Sequence, residues 1–384
     1  MSIKHGKKII PYADGFKVPQ QSDIKKALGT FDDNSLNTIF TERFYETFDS
    51  LPFPKKPWDW LAQYVEKGQT YAQHLQLSRT LHTSASSHRN TIYLTIFGQI
   101  DKTIFDVDSL IDYTQRFFQI PVKLINPFID VQWNNETNQW TCILNLSNGK
   151  NRSFKLQTRY NENHNHSQIS VRKILDLLTK VVPMDARCLV ALTMYDLYDD
   201  NTDLFIAGLA RGNNRVAAFS LYRYDPYLIF NESNWFDCKM KVVSELEKEI
   251  EERRNLLLLR TCRLLTHEVC HLFGIEHCIY YSCLMNGSGH LDEDFTQPLL
   301  ECPIELRKLH IFLKFNINKR YEELLDFFQI HNFYDEIKMT KKKLDVINQP
   351  PQEINSSVKR KRLCNVTTND EDVSQPSTKH FKDE

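Results

Sequence analysis

Residues 267–278, HEVCHLFGIEHC, carry three histidines, two glutamates and two cysteines in twelve positions. They close a long stretch, VVSELEKEIEERRNLLLLRTCRLLTHEVCHLFG (242–274), whose apolar residues at 264, 265, 269, 272 and 273 keep the period of a buried helix. On such a helix His267 and His271 lie roughly 40° from one another, so their rings can converge on one ion. Glu268 lies about 100° round from His267. That is beside an ion rather than on it, where a carboxylate can accept a proton from metal-activated water. Gly274 then stops the helix, because glycine tolerates the left-handed turn that reverses a chain at a helix C-terminus. The reversal returns His277 as a third nitrogen. Three imidazoles and a water leave zinc an open position, the arrangement of a catalytic site.

The plainer alternative is a histidine pair packed in a core, since a bare HExxH arises by chance. The added glycine, the third histidine and Met285 in CLMNGSG make that the lesser reading. Glu276 reads as solvated and Cys270 as packing. His290, in GSGHLDED, reads as a solvated loop residue, and Asp196 and Tyr195 as a strand end that bonds a loop.

Nine cysteines need a cause, because four of them (Cys270, Cys278, Cys283 and Cys302) crowd around the histidines. In a reducing compartment such a cluster marks metal binding or reactivity more often than disulfides. That compartment is the expected one. The start, MSIKHGKKIIPYADGFK, is basic but has no apolar core of a secretory signal. A cytoplasmic location follows, with VKRKRL (358–363) as a basic cluster suited to nuclear import. Lys+Arg 48 against Asp+Glu 49 gives no field favouring nucleic acid or a membrane surface. The apolar run LLLLR (256–260) is far too short to span a bilayer.

Around the motif the chain alternates. NTIYLTIFGQI (90–100) reads as a strand, DVDSLIDYTQRFFQI (106–120) as a helix behind an Asp start, and PVKLINP (121–127) as a second strand. QWTCILNLSNGKNRSFKLQTRY (139–160) suggests a hairpin turning at Asn148-Gly149. SQISVRKILDLLTKVV (167–182) is an amphipathic helix and ARCLVALTMYDLY (186–198) a buried strand. LFIAGLARGNNRVAAFSLYRY (204–224) reads as two strands joined at Gly212-Asn213-Asn214. This order predicts a mixed α/β (α+β) domain over 86–335. Residues 1–85 read as an extension partly packed on it, and 336–384 as a polar tail too poor in aromatics to fold.

HExxHxxGxxH with a downstream methionine resembles the metzincin metallopeptidases. A cysteine directly after the third histidine and another two residues before the methionine narrow the likeness to the archaemetzincin family. TMYDLY (193–198), FSLYRY (219–224) and LLLLRTCRLLTHE (256–268) also look like blocks of that family. The resemblance implies a mainly parallel twisted sheet with an antiparallel edge strand, a long active-site helix and a small C-terminal subdomain below the cleft. It implies a zinc peptidase acting on peptide or protein, with His267, His271 and His277 as ligands, Glu268 as general base and Met285 as an apolar floor. The edge strand, LFIAGLA (204–210), would pair with an extended substrate. A catalytically silent zinc-binding adaptor protein is the alternative.

The family also carries a second, structural zinc on four cysteines, and here the sequence departs. Cys278, Cys283 and Cys302 are in place, but the fourth position holds Glu305 in ECPIELRKL. Zinc on three thiolates and Glu305, zinc on three thiolates and water, and three free thiols all remain open. A retained, weaker zinc is the reading adopted here.

Overall fold

A side chain buried on each face at every second residue tells a central strand from an edge strand. The computed structural model describes residues 10–31, 34–80, 88–146, 148–161, 166–200, 204–231, 234–240 and 247–349. Its strands are β1 (Thr91–Ile96), β2 (Val122–Leu124), β3 (Phe128–Asn134), β4 (Gln139–Asn145), β5 (Asn151–Lys155), β6 (Thr158–Asn161), β7 (His166–Ser170), β8 (Ala186–Thr193), β9 (Leu197–Tyr198), β10 (Gly208–Arg211) and β11 (Val216–Ser220). A further pair joins Leu228–Asn231 to Asn234–Met240.

Five strands form the main sheet in the order β10-β11-β8-β1-β2. The pairs β1–β2, β1–β8 and β8–β11 are parallel, while β10 closes the edge antiparallel to β11. Ile92, Leu94, Cys188, Val190, Leu192, Ala217 and Phe219 enter one apolar cluster, and their neighbours Tyr93, Leu189, Ala191, Val216 and Ala218 enter the other. The first face is covered by the helices Val107–Phe118 and Glu247–Leu272, and the second by Val171–Leu178. The expected mixed, mainly parallel sheet with an antiparallel edge is therefore present. At that edge Leu209 and Ala210 pair with Ala218 and Ala217, and the Gly208 position has no room for a Cβ against Phe219.

Three local expectations shift. The helix placed over 167–182 begins only at Val171, because His166–Ser170 is taken up as β7 by pairing with β6 and β9. The strand over 186–198 is cut after Thr193, where Met194–Asp196 turn before β9. A helix, Tyr334–Ile347, runs across the boundary drawn at 335/336 and buries Thr340, Lys343 and Leu344. Its polar composition hid an apolar seam. The basic cluster 358–363 lies outside the described residues.

Residues assigned to the N-terminal extension contribute directly to the main core: Ala27, Leu28, Phe40, Phe44, Leu51 and Leu61 all belong to the cluster beneath the active-site helix. Among the described residues no helix is long and apolar enough to cross a membrane.

Candidate metal centre

The long helix ends where the glycine predicts. Gly274 sits at φ +77°, the Ile275 N–H donates to the Cys270 carbonyl at 3.1 Å, and the Gly274 N–H donates to His271 at 2.9 Å. These two bonds are a Schellman cap. It turns the chain so sharply that His277 comes back over the last helical turn.

The ligand-type nitrogens of His267, His271 and His277 lie within 4.8 Å of one another. What aims them is a set of acceptors behind each ring. His267 Nδ1 donates to the Leu284 carbonyl at 2.8 Å, His271 Nδ1 to the Ile275 carbonyl at 2.7 Å, and His277 Nδ1 to a Glu66 carboxylate oxygen at 2.9 Å. An oxygen of that kind can only accept, so every Nδ1 carries a proton, and in a neutral ring Nε2 keeps a bare lone pair. The Nε2 atoms of His267 and His271 then face each other at 3.0 Å. Burial, with the neighbouring histidines, pushes both rings toward neutrality, His271 down to about 4. Opposed lone pairs in a dry site call for a cation between them. The donor set fits zinc: neutral imidazole nitrogens, fixed from behind, with room for a further ligand.

Glu268 lies one residue on and is half-buried. Burial first, and the Asp294 carboxylate second, lift its pKa to about 8. Met285 is fully buried, and its carbonyl accepts from the Cys278 N–H at 2.7 Å. Asn286 ties the intervening loop, donating to the Cys278 and Tyr281 carbonyls and accepting from the Cys283 N–H. The loop from third histidine to methionine is thus held as one rigid turn.

Beyond that turn Cys278, Cys283 and Cys302 bring their sulfurs within 4.8 Å of one another. Cys278 and Cys302 are 3.6 Å apart, and backbone N–H groups of Tyr280, Met285 and Cys302 donate to sulfur. Cys302 also stands at the N-cap position of the helix Pro303–Leu313, with no side-chain cap bond, and burial pushes its thiol up. Glu305 is fully buried beside Cys278. Burial lifts its pKa to about 8, and Lys308, also fully buried, stands 2.8 Å from it. Lys308 was not foreseen, although an acid and a lysine three residues apart on a helix is a readable signal.

His290, read as a solvated loop residue, is buried instead. Its Nε2 donates to Asp59 at 2.7 Å, its Nδ1 accepts from the Glu293 N–H, and its side chain is 5% exposed. The partner lies 231 residues away, so nothing local in the sequence could reveal it. Asp59 accepts from the Lys55 and Lys56 N–H groups, and Glu293 from those of Trp60 and Gly289. This second His/carboxylate group is therefore a clasp whose oxygens are already bonded. Asp196 does bond its surroundings as expected, taking Arg223, His166 and Gln168. Glu276 is exposed and Cys270 buried, also as expected.

A pocket of about 650 Å³ opens between Trp60 and Tyr64 on one side and Phe205 and Ala207 on the other, with Tyr224 and Asp294 also in its lining. Trp60 is shared with the histidines, its ring edge-on to His277 at 5.3 Å. The pocket therefore shares one wall residue with the surroundings of His277 and runs beside the segment leading into the edge strand.

A protein with this sheet, this helix and this ring cluster is a zinc metallopeptidase. The sequence profile of peptidase family M54 matches residues 227–308. Archaemetzincin-2 of Macaca fascicularis is 31% identical over 280 residues, covering 70% of this chain and 71% of its own. Archaemetzincin-2 of Homo sapiens is 32% identical over the same span. The crystal structure of an archaemetzincin from Methanopyrus kandleri is 21% identical, covers 60% of this chain and 98% of its own, and gives a TM-score of 0.38. The chain belongs to the archaemetzincin family.

Proposed function

We propose that this protein hydrolyses peptide bonds at the His267–His271–His277 centre, with Glu268 as the general base. Zinc held there would acidify a water and polarise the scissile carbonyl. Glu268, half-buried and fixed on the helix one residue from the first ligand, takes the proton of the attacking water and returns it to the departing amine. The pocket between Trp60 and Phe205 receives a substrate side chain, and the segment Phe205–Ala207 with β10 offers backbone groups to an extended peptide. The observation that carries this reading is the common orientation of the three rings, each with Nδ1 engaged behind it and Nε2 turned inward.

The same reading includes a second zinc on Cys278, Cys283 and Cys302, with Glu305 as fourth ligand and Lys308 neutralising part of the charge. Three thiolates and a carboxylate carry two more negative charges than zinc supplies, and a fully buried ammonium offsets one of them. The second zinc would be structural, since Cys278 and Cys283 belong to the turn between His277 and Met285 and Cys302 ties that turn to the helix Pro303–Leu313.

Purified full-length protein is to be assayed for zinc content by elemental analysis and for cleavage of an unbiased peptide library, with and without a hydroxamate chelator. Zinc-dependent, hydroxamate-sensitive cleavage is the expected result. Zinc-loaded protein that cleaves nothing would leave the silent adaptor as the better description.

A further inference from the structure

The third histidine is aimed by a residue from outside the peptidase motif. His277 Nδ1 stands 2.9 Å from Glu66, and the same carboxylate oxygen accepts from Trp60 Nε1 at 2.7 Å. Trp60 also packs edge-on against the His277 ring. Glu66 is thus fixed from one side by an indole N–H, and it fixes an imidazole on the other. His267 and His271 need no such help, because backbone carbonyls of Leu284 and Ile275 hold them. Of the three rings only His277 depends on a side chain, and that side chain is 211 residues distant.

The neighbours of Glu66 grip the same turn. Gln69 Nε2 and His74 Nδ1 both donate to the Gly274 carbonyl, at 3.0 and 3.1 Å. Gly68 lies so close to Ile279 and Tyr280 that a Cβ there would meet them at 2.7 and 2.8 Å. The strap is anchored at its other end by the clasp of Asp59 with His290 and of the Trp60 N–H with Glu293. Residues 59–74 therefore run across the glycine turn between the second and third histidines, bonded to it at several points.

We infer that Glu66 is a positioning residue of the metal centre, and that residues 59–74 of the N-terminal segment complete the centre rather than decorate it. This rests on the three histidines being the zinc ligands. A carboxylate behind a ligating imidazole fixes the ring's tautomer and rotation and raises the basicity of the nitrogen facing the metal, and its loss typically weakens metal binding 10–100-fold. Trp60 Nε1 holds the carboxylate in line.

The test is zinc affinity, measured on full-length protein by competition with a chromophoric chelator, together with the absorption bands of the cobalt-substituted form. Glu66→Gln keeps the acceptor oxygen but drops the charge, Glu66→Ala drops both, and Glu66→Asp keeps the charge on a shorter arm. The expected order of affinity is parent, Asp, Gln, Ala, with Ala 10–100-fold below the parent and the cobalt bands shifted. Trp60→Phe, which removes only the N–H, falls between parent and Glu66→Ala. Lys56→Ala, three residues before the strap and paired with Asp292, keeps parental affinity. If Glu66→Ala lowers the unfolding midpoint of the metal-free protein yet binds zinc within twofold of the parent, Glu66 is merely structural and the inference fails. If His277→Ala itself leaves zinc affinity unchanged, the ligand assignment fails instead.

Discussion

His267 and His271 present their Nε2 atoms to each other at 3.0 Å, with both Nδ1 protons committed to backbone carbonyls. Neither nitrogen can donate to the other, so the pair is repulsive until something positive enters. A ligand that binds only the folded state stabilises it by RT ln(1 + [L]/Kd), about 2.7 kcal/mol at a hundredfold excess over Kd. Chelation is therefore expected to lower the thermal midpoint by several degrees, and zinc to restore it. Substituting His267 by Ala should remove the histidine centre's share of that increment and leave only the share of the cysteine site, which differential scanning calorimetry would read directly.

Glu268 separates the metal from the chemistry. It follows the first ligand directly on the helix and is half-buried, with Asp294 as a like-charged neighbour. Glu268→Gln removes the proton acceptor and keeps the shape. Hydrolysis should fall about 10²–10⁴-fold, while zinc content stays at the parental value. The thermal midpoint should hold or rise, since a costly half-buried carboxylate is gone. A variant that retains zinc and full activity would assign the base elsewhere.

The two halves of the site were unequally legible. The helix, the glycine cap, the three histidines, Met285 and the thiol trio all lie within 247–302, where helical period and turn chemistry act over a few residues. The central strands were equally plain, because burial on both faces writes itself as continuous Val, Ile, Leu and Ala. Glu66, Trp60, His290 with Asp59, and Gln69 were invisible as site components. Each acts across more than 200 residues of sequence, and no periodicity encodes such a pairing.

The edges of elements failed for a related reason. Residues 167–170 continue an amphipathic helical pattern, yet a parallel partner in β9 and an antiparallel one in β6 were on offer, and tertiary pairing won. The helix Tyr334–Ile347 scatters its apolar residues around a run of lysines, Lys341–Lys343. What fixes it is packing on Ile317–Ile330 and the insertion of Lys343, whose ammonium lies 4.1 Å from the Phe48 ring centroid. A lysine that acts as an interior residue cannot be told from a solvated one by composition.

The cysteine cluster yields a test that depends on Lys308. Glu305→Cys restores a fourth thiolate, and zinc at that site should bind more tightly than in the parent, with two zinc ions per chain in both. The same change strips a fully buried ammonium of its partner, which costs about 3–5 kcal/mol when nothing replaces it. The metal-free variant should therefore be less stable than the metal-free parent, and the zinc-loaded one at least as stable. Elemental analysis giving one zinc per chain in both proteins would mean that the cluster holds no metal.

Asp196 gives the fold a defined weakness in acid. Burial pushes its carboxyl up, but bonds from His166, Arg223 and Gln168 outweigh that and bring it from 3.8 down to about 2. The Arg223–Asp196 pair is almost wholly buried. An acid whose folded pKa lies below its unfolded one contributes stability that is fully present above the unfolded value and vanishes as pH falls through the folded value. The window here is pH 4 to 2, and the amount is about 2 kcal/mol. Asp196→Asn removes this titration and leaves the Arg223 charge uncompensated, at a cost of about 3–5 kcal/mol near neutrality. Urea unfolding of the metal-free proteins at pH 5.5 and 2.5 should show the parent losing about 1–2 kcal/mol more than the variant over that interval. Equal losses would mean that Asp196 is not the group whose protonation weakens the fold, and that its bonds to Arg223 and His166 contribute little in solution.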